Sequence, residues 1–151
     1  MTHGQLEIRP IEPGDEQDWR RLWKDYLAFY EAALPEDIYA LTFSRLLSGD
    51  AHEYAGLLAV LNGKPVGLAH FLFHRSCWHA NSICYLQDLF ADPDVRGQGI
   101  GRALIEAVYA RANAERAEEV YWMTQDFNTT ARTLYDRIAD KTPFIVYQKT
   151  F

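Results

Sequence analysis

The sequence predicts an α/β protein with a mixed, mostly antiparallel central sheet and helices on both faces. Its predicted elements follow the order β-α-α-β-β-β-α-β-α-β. A strand meander followed by β-α-β units places antiparallel and parallel pairs in one sheet. Asn62-Gly63 separates the apolar runs 57–61 and 66–73, which is a strong hairpin signal. A glycine-rich turn at 96–101 then precedes an amphipathic helix.

The N-terminal part of the chain predicts one short strand, at 6–9, and two helices. Asp15 is a candidate N-cap for the first helix, because apolar residues recur after it at helical spacing. Pro35 interrupts this pattern, and a second helix is expected from about 36 to 47, ended by Gly49. The apolar positions of the first helix are Trp19, Leu22, Trp23, Tyr26, Leu27 and Tyr30.

After the hairpin, the pattern predicts alternating strands and helices. Ile100, Leu104 and Val108 lie on one face of the helix that follows the glycine-rich turn. The expected elements are a strand at 83–91, a helix at 99–112, a strand at 120–124, a helix at 128–139 and a last strand at 144–151.

Composition and charge narrow the classes of function. The 151 residues contain no repeat or linker, so one domain is expected over 1–151. No apolar run approaches the roughly 20 residues of a membrane helix, and the polar N-terminus does not resemble a signal peptide, so we expect a cytoplasmic protein. Cys77 and Cys84 form no disulfide framework and are expected to be reduced. The net charge of -6 disfavours nucleic-acid binding and fits a cationic acceptor.

The glycine-rich turn reads Arg96-Gly97-Gln98-Gly99-Ile100-Gly101. Glycines allow the backbone to bend sharply and to bring several N–H groups against a phosphate. The start of a helix adds free N–H donors and the positive end of the helix dipole. Arg96 and Arg102 flank the turn and supply full positive charges.

Other phosphate-binding motifs fit this turn less well. A Walker A loop ends in Gly-Lys-Ser/Thr, whereas this chain has Gly101-Arg102-Ala103. A Rossmann fingerprint requires a glycine at position 102 and a turn directly after the strand, and this chain has neither. The acidic pair Glu118 and Glu119 does lie at the distance that this fingerprint requires. An ordinary glycine-rich turn without a ligand is the remaining alternative.

The turn resembles the Arg/Gln-x-x-Gly-x-Gly/Ala signature of the GNAT superfamily of N-acetyltransferases. The stretch Tyr85-Leu86-Gln87-Asp88-Leu89-Phe90-Ala91-Asp92-Pro93 is similar to the strand before this motif in the histone and polyamine acetyltransferase branch. Val120-Tyr121-Trp122, followed by Asn128-x-x-Ala131-x-x-Leu134-Tyr135, resembles the second half of the cofactor site. The resemblance covers most of residues 65–150, and it implies the GNAT fold, a single N-acetyltransferase domain and acetyl-CoA as co-substrate.

The resemblance also implies roles for individual residues. The backbone of Leu89 and Ala91 would pair with the pantetheine arm, Asn128 would reach its side, and Tyr135 would lie beside the sulfur. Each has a simpler alternative: the two strand residues as core, Asn128 as a helix N-cap, and Tyr135 as a core tyrosine. The residues expected around the pyrophosphate are Arg96, Gly97, Gln98, Gly99, Ile100, Gly101 and Arg102.

Acetyl transfer to an amine sets three chemical requirements. The amine must be neutral, and a lysine-like pKa of about 10.4 costs about 4.6 kcal/mol at pH 7 unless a base or the site lowers it. The thioester oxygen needs a fixed donor, for which the strand N–H near Ala91 is the candidate. The leaving thiolate needs a proton, which the phenol of Tyr135 supplies. We expect direct attack of the amine in a ternary complex.

The base is where this sequence departs from the family pattern. The polyamine branch often carries Glu-Asp, whereas this chain has Gln87-Asp88, and a glutamine accepts no proton at neutral pH. Asp88 is therefore the predicted base, directly or through water, and Gln87 a predicted acceptor contact. Strand alternation places the two on opposite faces unless a bulge intervenes. Pairing of Asp88 with a basic group is the alternative.

The first helices of GNAT folds usually border the acceptor pocket, so Tyr30 and Glu31 are predicted substrate-binding residues, with Glu36 and Asp37 as further anionic members. No metal is expected, because the histidines and cysteines of the middle of the chain match no standard zinc spacing. His70 and His74 share strand parity and are expected either to face the acceptor or to be core histidines.

The predicted acceptor is a primary amine on a polyamine-like molecule or a protein lysine. A non-catalytic acyl-CoA-sensing module and a nucleotide-binding protein are the rival hypotheses. A homodimer is expected, because the aromatic last strand, with Phe144-Ile145-Val146-Tyr147, would form a sheet edge that needs a partner.

Overall fold

The computed structural model describes residues 5–151, which form a five-stranded sheet in the order β1-β2-β3-β4-β5. The first three strand pairs are antiparallel, and β4 and β5 are parallel. The strands are β1 (Leu6–Pro10), β2 (Ala55–Leu61), β3 (Lys64–His74), β4 (Ile83–Ala91) and β5 (Val120–Tyr121). The helices are α1 (Glu16–Phe29), α2 (Glu36–Leu46), α3 (Ile100–Ala114) and α4 (Thr129–Ile138). This architecture confirms the predicted α/β class with a mixed sheet.

Alternation along the central strands produces two cores, one on each face of the sheet. Leu58 and Leu68 pack against α1 and α2 around the fully buried Trp19. Leu57 and Ala59 face the other side and pack against α3. Because each fully buried large apolar side chain contributes about 1.5–3 kcal/mol, these contacts hold the helices firmly on both faces.

The hairpin between β2 and β3 forms as predicted. Asn62 has a φ of 53° and Gly63 a φ of 81°, and two consecutive positive φ values are typical of a type I′ turn. Asp15 precedes α1 as predicted, but its side chain does not cap that helix. Its carboxylate instead accepts hydrogen bonds from Arg9 and from the backbone N–H of Glu12.

The prediction of a last strand at 144–151 is wrong for the chain by itself. Residues 140–151 have no strand partner and make no backbone–backbone hydrogen bond within the described part of the chain. Phe144, Ile145 and Tyr147 are between 74% and 90% exposed. A strand requires a hydrogen-bonded neighbour, and the described chain offers none to this segment, which we call the C-terminal arm.

The edge strand β5 differs in length from its prediction. β5 is shorter than the predicted strand at 120–124, because pairing with β4 stops after Tyr121.

Within residues 5–151, no helix combines the length and apolar character that crossing a bilayer requires. The cytoplasmic location stays a prediction.

Candidate active site

The parallel strands β4 and β5 separate soon after they meet. They pair only at Cys84–Val120 and Tyr85–Tyr121. On its other side, β4 pairs with β3 through a bulge, since His70 pairs with Asp88 and Phe71 with Leu86. Gln87 is therefore the extra residue, and the second half of β4 has no strand partner on the β5 side. The result is a cleft between the diverging strands.

The start of α3 lies just beyond the end of β4. Gly97 and Gly99 have φ values of 78° and 72°, a left-handed conformation that glycine adopts without strain. No side chain caps the helix, so its first N–H groups are available to an anion. Gly67 allows the helix to approach the sheet, because a Cβ there would lie 2.8 Å from the carbonyl oxygen of Phe90 and 3.0 Å from Ile100.

Two arginines flank this helix start. Arg96 is exposed, and no carboxylate in residues 5–151 lies within ion-pair distance of it. The Nε atom of Arg102 lies 2.9 Å from a carboxylate oxygen of Glu106, one turn further along the helix. The local positive charge of the helix start therefore comes from backbone dipoles and Arg96, with Arg102 partly neutralised.

A pocket lies in the cleft, on the side of α1 and α4. We call it the tyrosine pocket, because three of its lining residues are tyrosines. It is lined by Tyr26, Tyr30, Leu86, Gln87, Leu89, Trp122, Met123 and Tyr135.

Tyr135 of α4 is half-buried in this pocket. Its ring packs edge-on against Trp122, with the centroids 5.3 Å apart. Burial, together with the neighbouring Tyr30, raises the pKa of Tyr135 to about 12. Its phenol therefore keeps its proton across the neutral and mildly alkaline range, as a proton donor requires.

Asp88 lies behind the pocket and is buried, with a side chain that accepts three hydrogen bonds. Oδ1 accepts one from the Tyr26 hydroxyl at 2.9 Å. Oδ2 lies 2.8 Å from Nδ1 of His70 and 3.3 Å from Nε1 of Trp23. Burial raises the pKa of Asp88, but the hydrogen bonds from His70, Tyr26 and Trp23 outweigh it and hold the pKa below its ordinary value. The carboxylate is ionised at neutral pH.

The protonation of His70 follows from its two partners. Trp19 Nε1 lies 2.9 Å from His70 Nε2, and an indole nitrogen only donates. His70 Nε2 is therefore the acceptor, and Nδ1 carries the hydrogen that it donates to Asp88. Of the two histidines on this strand, His70 belongs to the core, whereas His74 Nε2 lies 2.7 Å from the Tyr121 hydroxyl.

The structure brings some of the predicted site residues together. Gln87 and Leu89 line the tyrosine pocket with Tyr30 and Tyr135, and Ala91 ends β4 where the chain turns toward α3. Tyr135 is the predicted proton donor to the leaving thiolate, and Asp88 is the predicted base. The two therefore lie on opposite sides of the tyrosine pocket.

Other predicted residues lie further out. Asn128 directly precedes α4, but its side chain does not cap that helix and instead approaches Thr124 Oγ1 at 3.4 Å. Glu31 is exposed just after α1, with a φ of 56°. Glu36 forms an ion pair with Arg20 on the outer side of α1 and α2.

His70 is a basic partner of Asp88, as the alternative prediction for Asp88 proposed, but sequence reasoning did not predict the indole and phenol groups that join them. Helical spacing predicts only an apolar helix face that contains Trp19, Trp23 and Tyr26, yet each donates a hydrogen bond into this group across 51 to 65 residues of sequence. The available signal was His70 within the mainly apolar run 65–73 and Asp88 within the mainly apolar strand β4. Buried polar side chains require partners, and the indole and phenol groups of the first helix were the nearest polar atoms.

Neither the histidines nor a second cavity adds a second site. No group of three or more potential metal ligands occurs in the part of the chain that the structure describes. A cavity of about 500 Å³ lies on the outer side of α1 and α2, lined in part by Arg20, Lys24 and Tyr39. It shares no lining residue with the tyrosine pocket.

Comparison with known proteins identifies the family. The profile of the acetyltransferase (GNAT) family matches residues 19–139. A D-amino-acid N-acetyltransferase of Saccharomyces cerevisiae is 34% identical over 150 residues, which cover 99% of this chain and 93% of that protein. The chain belongs to the GNAT family and is an N-acetyltransferase.

Solved structures agree with this assignment at the level of the fold. The aminoglycoside N-acetyltransferase AAC(6')-Iy in complex with CoA superposes with a TM-score of 0.85 at 20% identity, over 99% of this chain and 97% of that one. These similarities do not favour the predicted histone and polyamine acetyltransferase branch over other branches of the family. A thialysine N-epsilon-acetyltransferase of Bos taurus is 34% identical, but only over 46% of this chain and 41% of that protein.

Proposed function

We propose that this N-acetyltransferase transfers the acetyl group of acetyl-CoA to a primary amine, by direct attack within a ternary complex. The proposal is supported by three features that together define the proposed path of the cofactor: the uncapped start of α3, the half of β4 that has no partner on the β5 side, and Tyr135 in the tyrosine pocket. A diphosphate fits the first part of this path, an extended amide-bearing arm fits the second, and a thioester fits the last.

The start of α3 is the proposed diphosphate site. Its backbone N–H groups and the helix dipole attract anions, and open space surrounds Gly97, Gly99 and Gly101. Arg96 adds a charge that no described carboxylate neutralises. The proposed contacts are Arg96, Gly97, Gln98, Gly99, Ile100, Gly101 and Arg102.

The unpaired half of β4 is the proposed pantetheine site. Leu89 and Ala91 would pair with the arm through their backbone groups, as if it were an added strand. Asn128 lies before α4 and is proposed to contact the pantetheine arm from the side opposite β4. The strand N–H near Ala91 would then donate to the oxyanion that develops from the thioester.

Tyr135 and Asp88 are the proposed acid and base. The raised pKa of Tyr135 keeps its hydroxyl protonated until the thiolate leaves. Asp88 is a buried carboxylate that is ionised at neutral pH and is connected to the tyrosine pocket through Tyr26. The amine loses its proton toward Asp88, and the departing sulfur receives a proton from Tyr135.

The proposed acceptor is a small molecule or a lysine side chain with a primary amine. The tyrosine pocket is aromatic and lies against a fixed negative charge, which favours a cationic amine. Tyr30, Gln87 and Glu31 are the proposed acceptor contacts. The yeast relative acts on D-amino acids by its name, so D-amino acids join polyamines, aminoglycosides and a lysine peptide as candidate acceptors.

Two measurements on the purified chain test the proposal. Acetyl-CoA is expected to raise the melting temperature, because a ligand of the native state stabilises it, and ATP and NAD serve as controls. Free thiol release is then followed with each candidate amine, and mass spectrometry of the amine detects its acetylation. Stabilisation without thiol release for every amine would contradict transfer, and stabilisation by ATP or NAD alone would contradict the cofactor.

We also propose that the enzyme is a homodimer in which the C-terminal arm packs against a second copy. Phe144, Ile145 and Val146 are between 67% and 75% exposed, and exposed apolar strand-like segments associate readily. The ring of Phe144 lies 6.5 Å from that of Trp78, which is 82% exposed. The two rings contribute to one exposed apolar surface.

A further inference from the structure

Asp88 does not itself line the tyrosine pocket. The pocket is lined by its strand neighbours Gln87 and Leu89, whereas the Asp88 carboxylate is occupied by hydrogen bonds from Trp23, Tyr26 and His70. Tyr26 both lines the pocket and donates a hydrogen bond to Asp88 Oδ1. The charge of Asp88 therefore reaches the pocket through one hydroxyl.

We infer that Tyr26 is the residue that contacts the acceptor amine, with its hydroxyl oxygen accepting a hydrogen bond from the amine while its hydrogen is donated to Asp88. The inference rests on the proposed function, because it assigns the acceptor contact within the same site. Tyr26 thereby selects a nitrogen that has an N–H to donate and orients the nitrogen lone pair.

The geometry of the group fixes the direction of this hydrogen bond. A carboxylate only accepts, so the hydroxyl hydrogen points to Asp88 and the oxygen lone pairs remain for another donor. Burial and the charge of Asp88 raise the pKa of Tyr26, so the hydroxyl remains neutral. A hydrogen bond to a charged acceptor polarises the donor, which makes the Tyr26 oxygen a stronger acceptor for an amine N–H.

The other polar groups nearby are less suited to this contact. His70 uses both ring nitrogens, one toward Trp19 and one toward Asp88. Trp23 only donates. The ring of Tyr30 packs against Tyr26 with centroids 5.1 Å apart, but its hydroxyl makes no hydrogen bond to Asp88.

The same arrangement gives Asp88 an electrostatic role during attack. As the amine attacks the thioester, its nitrogen gains positive charge. A fixed, buried anion one hydroxyl away stabilises that charge. His70 and Trp23 are then positioning residues, because they hold the carboxylate without contacting the amine.

Replacing Tyr26 with phenylalanine tests the inference. Tyr26→Phe is expected to lower kcat/KM for the amine by roughly 10- to 100-fold, the effect of losing one hydrogen bond to a charged group, while stabilisation by acetyl-CoA remains as in the wild type. Tyr39→Phe is the matched control. Its ring packs 5.1 Å from Trp23 in the same layer, but its hydroxyl makes no hydrogen bond to Asp88.

A second measurement applies if Tyr26→Phe folds poorly. Fluorotyrosine placed at position 26 keeps the shape of the side chain but weakens its oxygen as an acceptor, so kcat/KM is expected to fall with increasing fluorination. An unchanged kcat/KM in either variant would overturn the inference. If the wild type itself releases no thiol with any amine, the proposed function fails instead.

Discussion

Nδ1 of His70 lies 2.8 Å from Oδ2 of Asp88, directly across the strand pair that contains the bulge. The bulge at Gln87 brings Asp88 to the face covered by α1, where His70 of the neighbouring strand also points. The bulge follows Tyr85, the last residue of β4 that pairs with β5. The buried charge therefore lies on the part of β4 that borders the cleft.

Asp88→Asn tests the contribution of this charge to stability and catalysis. The pKa of Asp88 is below its ordinary value of 3.8 in the folded chain, so its stabilising contribution is present above that value and is lost as the pH falls through the folded pKa. We expect the variant to be less stable by about 2 kcal/mol at pH 7, and this difference should shrink below about pH 4. Urea unfolding at both pH values measures it.

The same variant addresses the proposed base. kcat/KM is expected to fall by roughly 100-fold or more in Asp88→Asn at every pH from about 6 to 9, because the acceptor side loses a carboxylate that is ionised throughout this range. A kcat/KM like that of the wild type across this range would remove Asp88 from the mechanism. A stability difference that persists undiminished at low pH would contradict the depressed pKa.

Tyr135→Phe tests the proposed acid. Loss of the phenol is expected to lower kcat by roughly 100- to 10,000-fold, with little change in the stabilisation by acetyl-CoA, because the ring still packs on Trp122. Between pH 6 and 10 the wild-type phenol stays protonated, since its pKa is about 12. Steady-state kinetics with the best amine measures the effect, and a kcat within a few-fold of the wild type would exclude the acid role.

Gly99→Ala tests the diphosphate site, and Gly63→Ala is its control. Both glycines have a positive φ and open space around the missing Cβ, so each substitution costs a similar backbone strain, about 1–2 kcal/mol. Only Gly99 lies at the start of α3. Calorimetry is expected to show weaker acetyl-CoA binding for Gly99→Ala alone. Equal binding by the two variants would argue against a diphosphate at this turn.

Removal of the C-terminal arm tests the homodimer. A chain ending at residue 142 is expected to be monomeric, whereas the full chain is dimeric by light scattering at micromolar concentration. Replacing Ile145 and Val146 with serine is the milder variant and should weaken the dimer in the same direction. A full chain that is monomeric, or a truncated chain that remains dimeric, would contradict the role of the arm.

The sequence predicted those parts of the fold that depend on local chemistry. The positive φ values at Gly97 and Gly99 and the Asn62-Gly63 hairpin follow from what glycine and asparagine tolerate. The helices follow from apolar spacing. The antiparallel pairing of β2 with β3 and of β3 with β4 follows from the short connections of the predicted meander.

The buried group around Asp88 did not follow from local patterns. Its hydrogen bonds join residues up to 65 positions apart, and helical spacing alone assigns Trp23 and Tyr26 to an apolar core. The prediction of a strand at 144–151 was wrong for a related reason. Residues such as Phe144 and Tyr147 have strand propensity, but a strand also needs an edge to pair with, which is a property of the assembled sheet.

A crystal structure of the chain with bound acetyl-CoA tests the central claim most directly. The expected result is the diphosphate against the backbone N–H groups between Gly97 and Arg102, and the thioester sulfur within hydrogen-bond reach, about 3.5 Å, of the Tyr135 hydroxyl. A diphosphate bound elsewhere, or a sulfur remote from Tyr135 with the start of α3 free of ligand, would contradict the account.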